Sequence, residues 1–202
     1  MKLYDSKMAP NPRRVRVFLA EKGVTVPTVQ VDIGTQENRK PPFLAKNPLG
    51  GVPLLELDDG SFIAESVAIC RYFEEIHPEP PLMGVDAADR ARVEMWNRRI
   101  EFELLATVSH AFQNTHAFFE GRVEQVPEYG EACKRKAAKR LEWLDGELAG
   151  REFIAGDRYT IADITALVAI DFGRVVKIRI APEQKNLQRW HEAVSARPSA
   201  SA

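Results

Sequence analysis

Along the N-terminal part of the chain, the spacing of apolar positions alternates between that of strands and that of helices. Residues 2–5 read as a short strand. Asn11-Pro12 then open a helix to about Lys22, because asparagine is a good N-cap and a proline at the first helical position gives up an N–H that would be unpaired anyway. Gly23 closes that helix. Residues 24–31 are rich in β-branched side chains and predict a second strand, interrupted near its start by Pro27. Residues 42–46 suit a short helix, and residues 52–57 and 61–63 flank the hairpin turn Asp58-Asp59-Gly60. Glu65-Ser66 open a helix to about Ile76. The order is βαβαββα, with parallel pairing expected first and a hairpin at the end.

Pro78, Pro80 and Pro81 then break the pattern, and residues 77–84 are the expected linker. Beyond them the pattern is helical. Helices are predicted over residues 87–118, 128–148, 161–178 and 182–196. Thr160-Ile161-Ala162-Asp163 has the form of a capping box just before an apolar run. The chain therefore reads as an α+β protein with an α/β domain over residues 1–78 and an all-helical domain over residues 86–202.

Composition narrows the function classes. The 202 residues carry a net charge of −1, with both signs interspersed, so no nucleic-acid or acidic-membrane partner is indicated. No apolar run reaches bilayer length and no export signal is visible, so a cytoplasmic protein is expected. The two cysteines, Cys70 and Cys133, are far apart in helical patterns, where core filling is favoured over a disulfide or a metal fragment. No cysteine or histidine cluster has zinc spacing, and no metal is expected.

Two features of the first domain suit an anionic thiol peptide. In Gly50-Gly51-Val52-Pro53-Leu54, the proline is either a plain entry into a strand or, if cis, a turn that presents the Val52 N–H and C=O to another peptide. Glu65-Ser66 is either an ordinary helix start or a carboxylate site. In the second case backbone N–H groups, the helix dipole and the Ser66 hydroxyl receive the anion while Glu65 takes an adjacent ammonium.

Taken together, several motifs resemble the cytosolic glutathione transferases. They are the opening Met1-Lys2-Leu3-Tyr4, the helix Arg13-Arg14-Val15-Arg16-Val17-Phe18-Leu19-Ala20-Glu21-Lys22-Gly23, the segment from Phe43 through Asn47-Pro48 to Val52-Pro53, Ile63-Ala64-Glu65-Ser66, and Phe153-Ile154-Ala155-Gly156-Asp157 with the Thr160 box. The resemblance implies a thioredoxin-like N-terminal domain, a helical domain lining the electrophile site, and a homodimer. It implies glutathione as co-substrate with no further cofactor, and a small hydrophobic electrophile as the second substrate. By it Val52 would pair with the cysteinyl backbone, Pro53 would be cis, Glu65 and Ser66 would hold the γ-glutamyl end, and Lys40 would reach the glycyl carboxylate.

The sequence departs from most of that family at the start of its first helix. Lys7-Met8-Ala9-Pro10-Asn11-Pro12 offers neither hydroxyl nor thiol, so the helix N-terminus alone would favour the thiolate there. The chain resembles an atypical yeast and bacterial branch in which a water held by a Ser and a His does this work. Ser109 falls on the branch's serine, with Gln113, Asn114 or His116 as partner. If the helix continues, Ser109, Gln113 and His116 share a face. A neutral imidazole there suits proton acceptance. Two alternatives remain open: a glutathione-dependent peroxidase, dehalogenase or isomerase of the same fold, and a non-enzymatic interaction protein.

Overall fold

The computed structural model describes all residues from Met1 to Ala202, and the chain divides into two compact units. One comprises Met1–Pro81 with Pro198–Ala202, the other Leu82–Arg197.

The first unit holds β1 (Lys2–Asp5), α1 (Pro10–Glu21), β2 (Thr28–Gln30), α2 (Pro41–Leu44), β3 (Leu54–Glu56), β4 (Phe62–Ala64) and α3 (Ser66–Ile76). The strands form one sheet in the order β2-β1-β3-β4, with β2 parallel to β1 and the other pairs antiparallel. This is the expected βαβαββα order, with shorter strands. The predicted 24–31 strand contracts because Val24 still closes α1, its N–H bonding to the Leu19 carbonyl, and because β1 offers only Leu3, Tyr4 and Asp5 as partners. Tyr4 and Leu54, adjacent across the sheet, pack with Phe43 and Val31 on one face. Alternation turns Leu3 and Leu55 to the other face.

On α1 and α3 the residues Val15, Phe18, Ile69 and Phe73 are buried. Charged side chains are buried too. The Lys22 ammonium, at the C-terminus of α1 where a cation suits the helix dipole, meets Glu74 at 2.5 Å and donates to the carbonyls of Pro78 and Pro80. The expected linker is thus held to this unit as far as Pro80, and Glu79–Pro80 is cis, which the sequence does not reveal. The final residues correct the expected 86–202 domain: Arg13 donates to the Ala200 carbonyl and Ser199 bonds to Glu21, so the C-terminal tail belongs with α1.

The second unit holds α4 (Ala87–Ile100), α5 (Ala106–Thr115), α6 (Pro127–Glu147), α7 (Ile161–Gly173) and α8 (Lys185–Ser195). The predicted single helix over residues 87–118 is not uniform. Between α4 and α5, Glu101–Leu105 widens into one π turn, closed by the Ala106 N–H on the Glu101 carbonyl. An extra residue in a helix rotates everything after it by about 100°. The helix then ends at Thr115, where His116 takes extended angles. The predicted continuation through residue 118 is corrected to a short 3₁₀ turn at Ala117–Phe119.

The capping box at α7 is present and is part of a larger buried node. Asp163 Oδ1 accepts from the Ile154 N–H and the Trp190 indole, both at 2.9 Å, and Oδ2 accepts from the Thr160 N–H at 2.9 Å and its hydroxyl at 3.2 Å. One carboxylate therefore ties together α7, α8 and the loop before α7. Both cysteines are free and buried, as core filling requires, and burial pushes the Cys70 thiol up to about 12. No helix is long and apolar enough to cross a membrane.

Asp163→Ala leaves three buried N–H groups without an acceptor, so urea unfolding is expected to show a loss of about 3–5 kcal/mol. Burial also raises the Asp163 carboxyl to about 6. Between about pH 4 and about pH 6 the folded protein then keeps a proton that the unfolded chain has released, so this residue's contribution falls as the pH rises through that window. The stability of the wild type relative to Asp163→Asn is accordingly expected to drop by on the order of 2–3 kcal/mol from about pH 4 to about pH 7.

Candidate active site

Three segments of the first unit carry unfilled hydrogen-bonding groups. The first precedes β3. Sheet pairing of this strand begins at Leu54, which faces Tyr4 on one side and Ala64 on the other. Val52 lies beyond that register, ahead of the cis Val52–Pro53 bond, and neither its N–H nor its C=O is bonded within the chain. An extended peptide can pair with such a position. The loop before it is clamped by side chains: Asn38 donates to the Gly50 carbonyl, Asn47 to the Gly51 carbonyl and Arg39 to the Leu49 carbonyl, at 2.7, 2.9 and 3.0 Å. Gly50 has φ +63°, and a Cβ there would lie 2.7 Å from the Asn38 carbonyl oxygen, so glycine is required. Sequence reasoning missed Asn38, Asn47 and Arg39. Their only signal was polar residues in a loop.

The second segment is the start of α3. Glu65 has φ +67° and ψ 119°, a left-handed conformation unusual for a residue with a Cβ. Its carboxylate is exposed and unpaired. Ser66 is 6% exposed, yet its hydroxyl meets no partner in the chain, and its N–H belongs to the open first turn of the helix. An acceptor carboxylate and a set of free donors thus sit on adjacent residues.

The third segment is the head of α1. The helix starts at Pro10 with Ala9 as N-cap, two residues earlier than the expected Asn11 cap, and no side chain caps it. Pro10 and Pro12 have no N–H, the Ala9 N–H bonds to the Ser6 carbonyl, and the Arg13 N–H bonds to the Ala9 carbonyl. The expected group of free amides reduces to one, that of Asn11, whose exposed carboxamide is also unpartnered. Asn11, read from the sequence only as a cap, is a further residue that sequence reasoning undervalued. Lys40 lies in solvent at the N-cap of α2, and its charge adds to the hydrogen bonds from Thr35 that hold the Asp32 carboxyl below the ordinary value.

The residues expected to hold a water lie in the second unit and are not equivalent. The Ser109 hydroxyl donates to the Leu105 carbonyl at 2.8 Å and keeps its acceptor sites. Asn114 is buried and structural: its amide donates to the His110 carbonyl, and its oxygen accepts the Val126 N–H at the start of α6. His116 Nδ1 accepts the Phe118 N–H at 3.1 Å, so in the neutral ring Nε2 carries the hydrogen and donates. The predicted common face of Ser109, Gln113 and His116 is lost because the helix ends before His116. The His116 ring lies 4.6 Å from the half-buried ring of Phe112, which is in turn 5.1–6.1 Å from the half-buried rings of Phe118, Phe119 and Phe172.

A mixed four-stranded sheet with a cis proline ahead of its third strand, in a chain that continues into an all-helical unit, defines a thioredoxin-like protein with a helical extension. Models of known families make the assignment specific: the glutathione S-transferase N-terminal domain matches residues 3–81 and the glutathione S-transferase C-terminal domain matches residues 108–198. The chain belongs to the glutathione S-transferase family. Glutathione S-transferase 2 of Saccharomyces cerevisiae is 37% identical to it over 98% of this chain and 87% of its own length. The crystal structure of Gtt2 from the same yeast superposes with a TM-score of 0.95 at 36% identity, covering 100% of this chain and 99% of that one. A glutathione S-transferase domain-containing protein of Marinobacter aquaeolei VT8 superposes with a TM-score of 0.94 at 41% identity, covering 98% and 99%.

The strained backbone of Glu65 predicts different effects of two small substitutions. Glu65→Gly relieves the left-handed strain and is expected to raise unfolding stability by up to about 1 kcal/mol, whereas Glu65→Ala keeps it and stays within about 0.5 kcal/mol of wild type. Urea unfolding of the two variants checks this.

Proposed function

We propose that this protein is a glutathione transferase that joins reduced glutathione to small apolar electrophiles. The observation that carries the reading is the set of unfilled groups around β3 and α3. A γ-glutamyl-cysteinyl-glycine has an ammonium beside a carboxylate at one end and a free backbone amide pair in the middle. The unpaired Glu65 carboxylate matches the ammonium, and the Ser66 hydroxyl and N–H match the carboxylate. The Val52 N–H and C=O match the cysteinyl backbone. Lys40 supplies a mobile charge for the glycyl end.

The sulfur in this reading rests at the head of α1. A free thiol ionises near pH 8.5, and at this helix start the thiolate is met by the Asn11 N–H and carboxamide and by little else. The water that takes up the thiol proton and hands it on to bulk solvent is assigned, by the resemblance, to Ser109, whose oxygen keeps its acceptor sites, and His116, whose Nε2–H is a donor. The thiolate then attacks the electrophilic carbon, a sulfur–carbon bond forms, and the leaving group departs with its electron pair. The aromatic cluster around Phe112 supports an apolar partner. The reading includes a cytoplasmic homodimer, which sedimentation of the purified protein checks.

The protein is expected to be retained on immobilised glutathione and to turn over a chlorinated nitrobenzene with glutathione. Ser109→Ala and His116→Ala are expected to lower kcat by at least about tenfold, whereas Asn114→Ala acts on thermal stability. Retention without turnover of any chloroarene, hydroperoxide or haloalkane would sink the catalytic reading, and no retention at all would sink glutathione binding with it.

A further inference from the structure

A ring of side-chain hydrogen bonds closes on the turn that leads into α1. Asp5 ends β1 and is 2% exposed. Its Oδ1 accepts from Arg16 Nη1 at 2.6 Å and its Oδ2 from Gln30 Nε2 at 2.9 Å. The other guanidinium nitrogen, Nη2, donates to the Lys7 carbonyl at 2.9 Å, and the Lys7 N–H donates to Gln30 Oε1 at 3.3 Å. The ring runs Asp5, Arg16, Lys7, Gln30 and back to Asp5. Both backbone polar groups of Lys7 are taken by side chains, from α1 on one side and from the edge strand β2 on the other.

The turn has little else to hold it through its side chains. Lys7 is exposed and Met8 is 87% exposed, so apolar burial does not anchor them. One position later the Ala9 N–H closes on the Ser6 carbonyl at 2.9 Å and α1 begins. We propose that Asp5, Arg16 and Gln30 are positioning residues that fix the turn at residues 6–9, and through it the head of α1, against the sulfur of bound glutathione. This rests on the reading above, in which the sulfur lies at that helix start.

The chemistry of the ring accounts for its members. Arg16 is opposite in charge to Asp5, so the ring acts by placement rather than by its field, and only a guanidinium offers two parallel donors to a carboxylate and a carbonyl at once. Gln30 donates to one neighbour and accepts from the other, which a neutral amide does and a carboxylate does not. Placement matters here because a single free amide, that of Asn11, serves the sulfur. A displacement of about 1 Å is enough to cost a large factor in rate.

The test uses the full chain with Gln30→Ala, Gln30→Glu and Arg16→Met. Gln30 is exposed on an edge strand, so its alanine variant folds whatever becomes of Arg16→Met. Affinity is read with S-methylglutathione, which has no thiol to place. The ionisation of bound glutathione is read from thiolate ultraviolet absorbance against pH. Expected for Gln30→Ala and Gln30→Glu are an S-methylglutathione Kd within about twofold of wild type, a bound-thiol pKa raised by about one unit, and a kcat about tenfold lower at neutral pH. A purely structural ring would lower thermal stability and leave the bound thiol unmoved, and that result overturns the proposal. Wild-type protein that binds no S-methylglutathione overturns both this inference and the reading beneath it. Wild type that binds and acidifies the thiol, with variants that do so equally, overturns the ring alone.

Discussion

A strand that stops pairing before its chain turns away leaves backbone groups with nowhere to go, and a folded protein fills nearly all such groups. Here β3 pairs from Leu54 onward, and Val52 is left with both its N–H and its C=O open. Everything proposed for this protein depends on that vacancy in the hydrogen-bonding scheme. The loop that leads to it is not slack: three side chains seize its carbonyls, and Gly50 lets it pass against Asn38 at a distance no other residue tolerates. The open end of β3 is therefore held rigid while left unfilled, which is how a fold preorganises a place for another peptide.

The start of α3 repeats the arrangement in another chemistry. Ser66 keeps an unpartnered hydroxyl at a largely buried residue, and the left-handed backbone of Glu65 costs energy. Neither is needed to build the helix, whose interior face is well packed by Ile69 and Phe73. At α1 the reverse holds: two prolines remove donors that a helix start ordinarily supplies, and the site is left with Asn11 alone. On the proposed reading, the protein is richly equipped to hold a tripeptide and sparsely equipped to ionise it.

Much of this was legible in the residues. Asp58-Asp59-Gly60 marked the hairpin, Gly23 the end of α1, and Thr160 with Asp163 the capping box, because each uses a local rule that tertiary packing did not override. The features that escaped were set by partners distant in sequence. The length of β2 follows from the length of β1, and the tail's return to α1 depends on the Arg13 contact with the Ala200 carbonyl. The cap of α1 went to Ala9 rather than Asn11 because Pro10 fits the first helical position as well as Pro12 does. The π turn at Glu101–Leu105 and the end of α5 at Thr115 have no sequence signature, and the second of these undid the shared face argued for Ser109, Gln113 and His116. For the site, Val52, Pro53, Glu65 and Ser66 could be named from motifs. The roles of Asn38, Asn47 and Arg16 could not, since each acts by gripping a backbone carbonyl that no pattern marks.

The placement of the two thiols bears on the conditions such a protein must endure. A protein that works among abundant thiols and their oxidised dimers is exposed to mixed-disulfide formation at any accessible cysteine. Cys70 is sealed from solvent and its thiol is pushed up by burial, and Cys133 is buried in α6, so neither sulfur is accessible for exchange. The protein's own sulfur is thereby kept out of exchange with small thiols and disulfides, whatever their balance in solution.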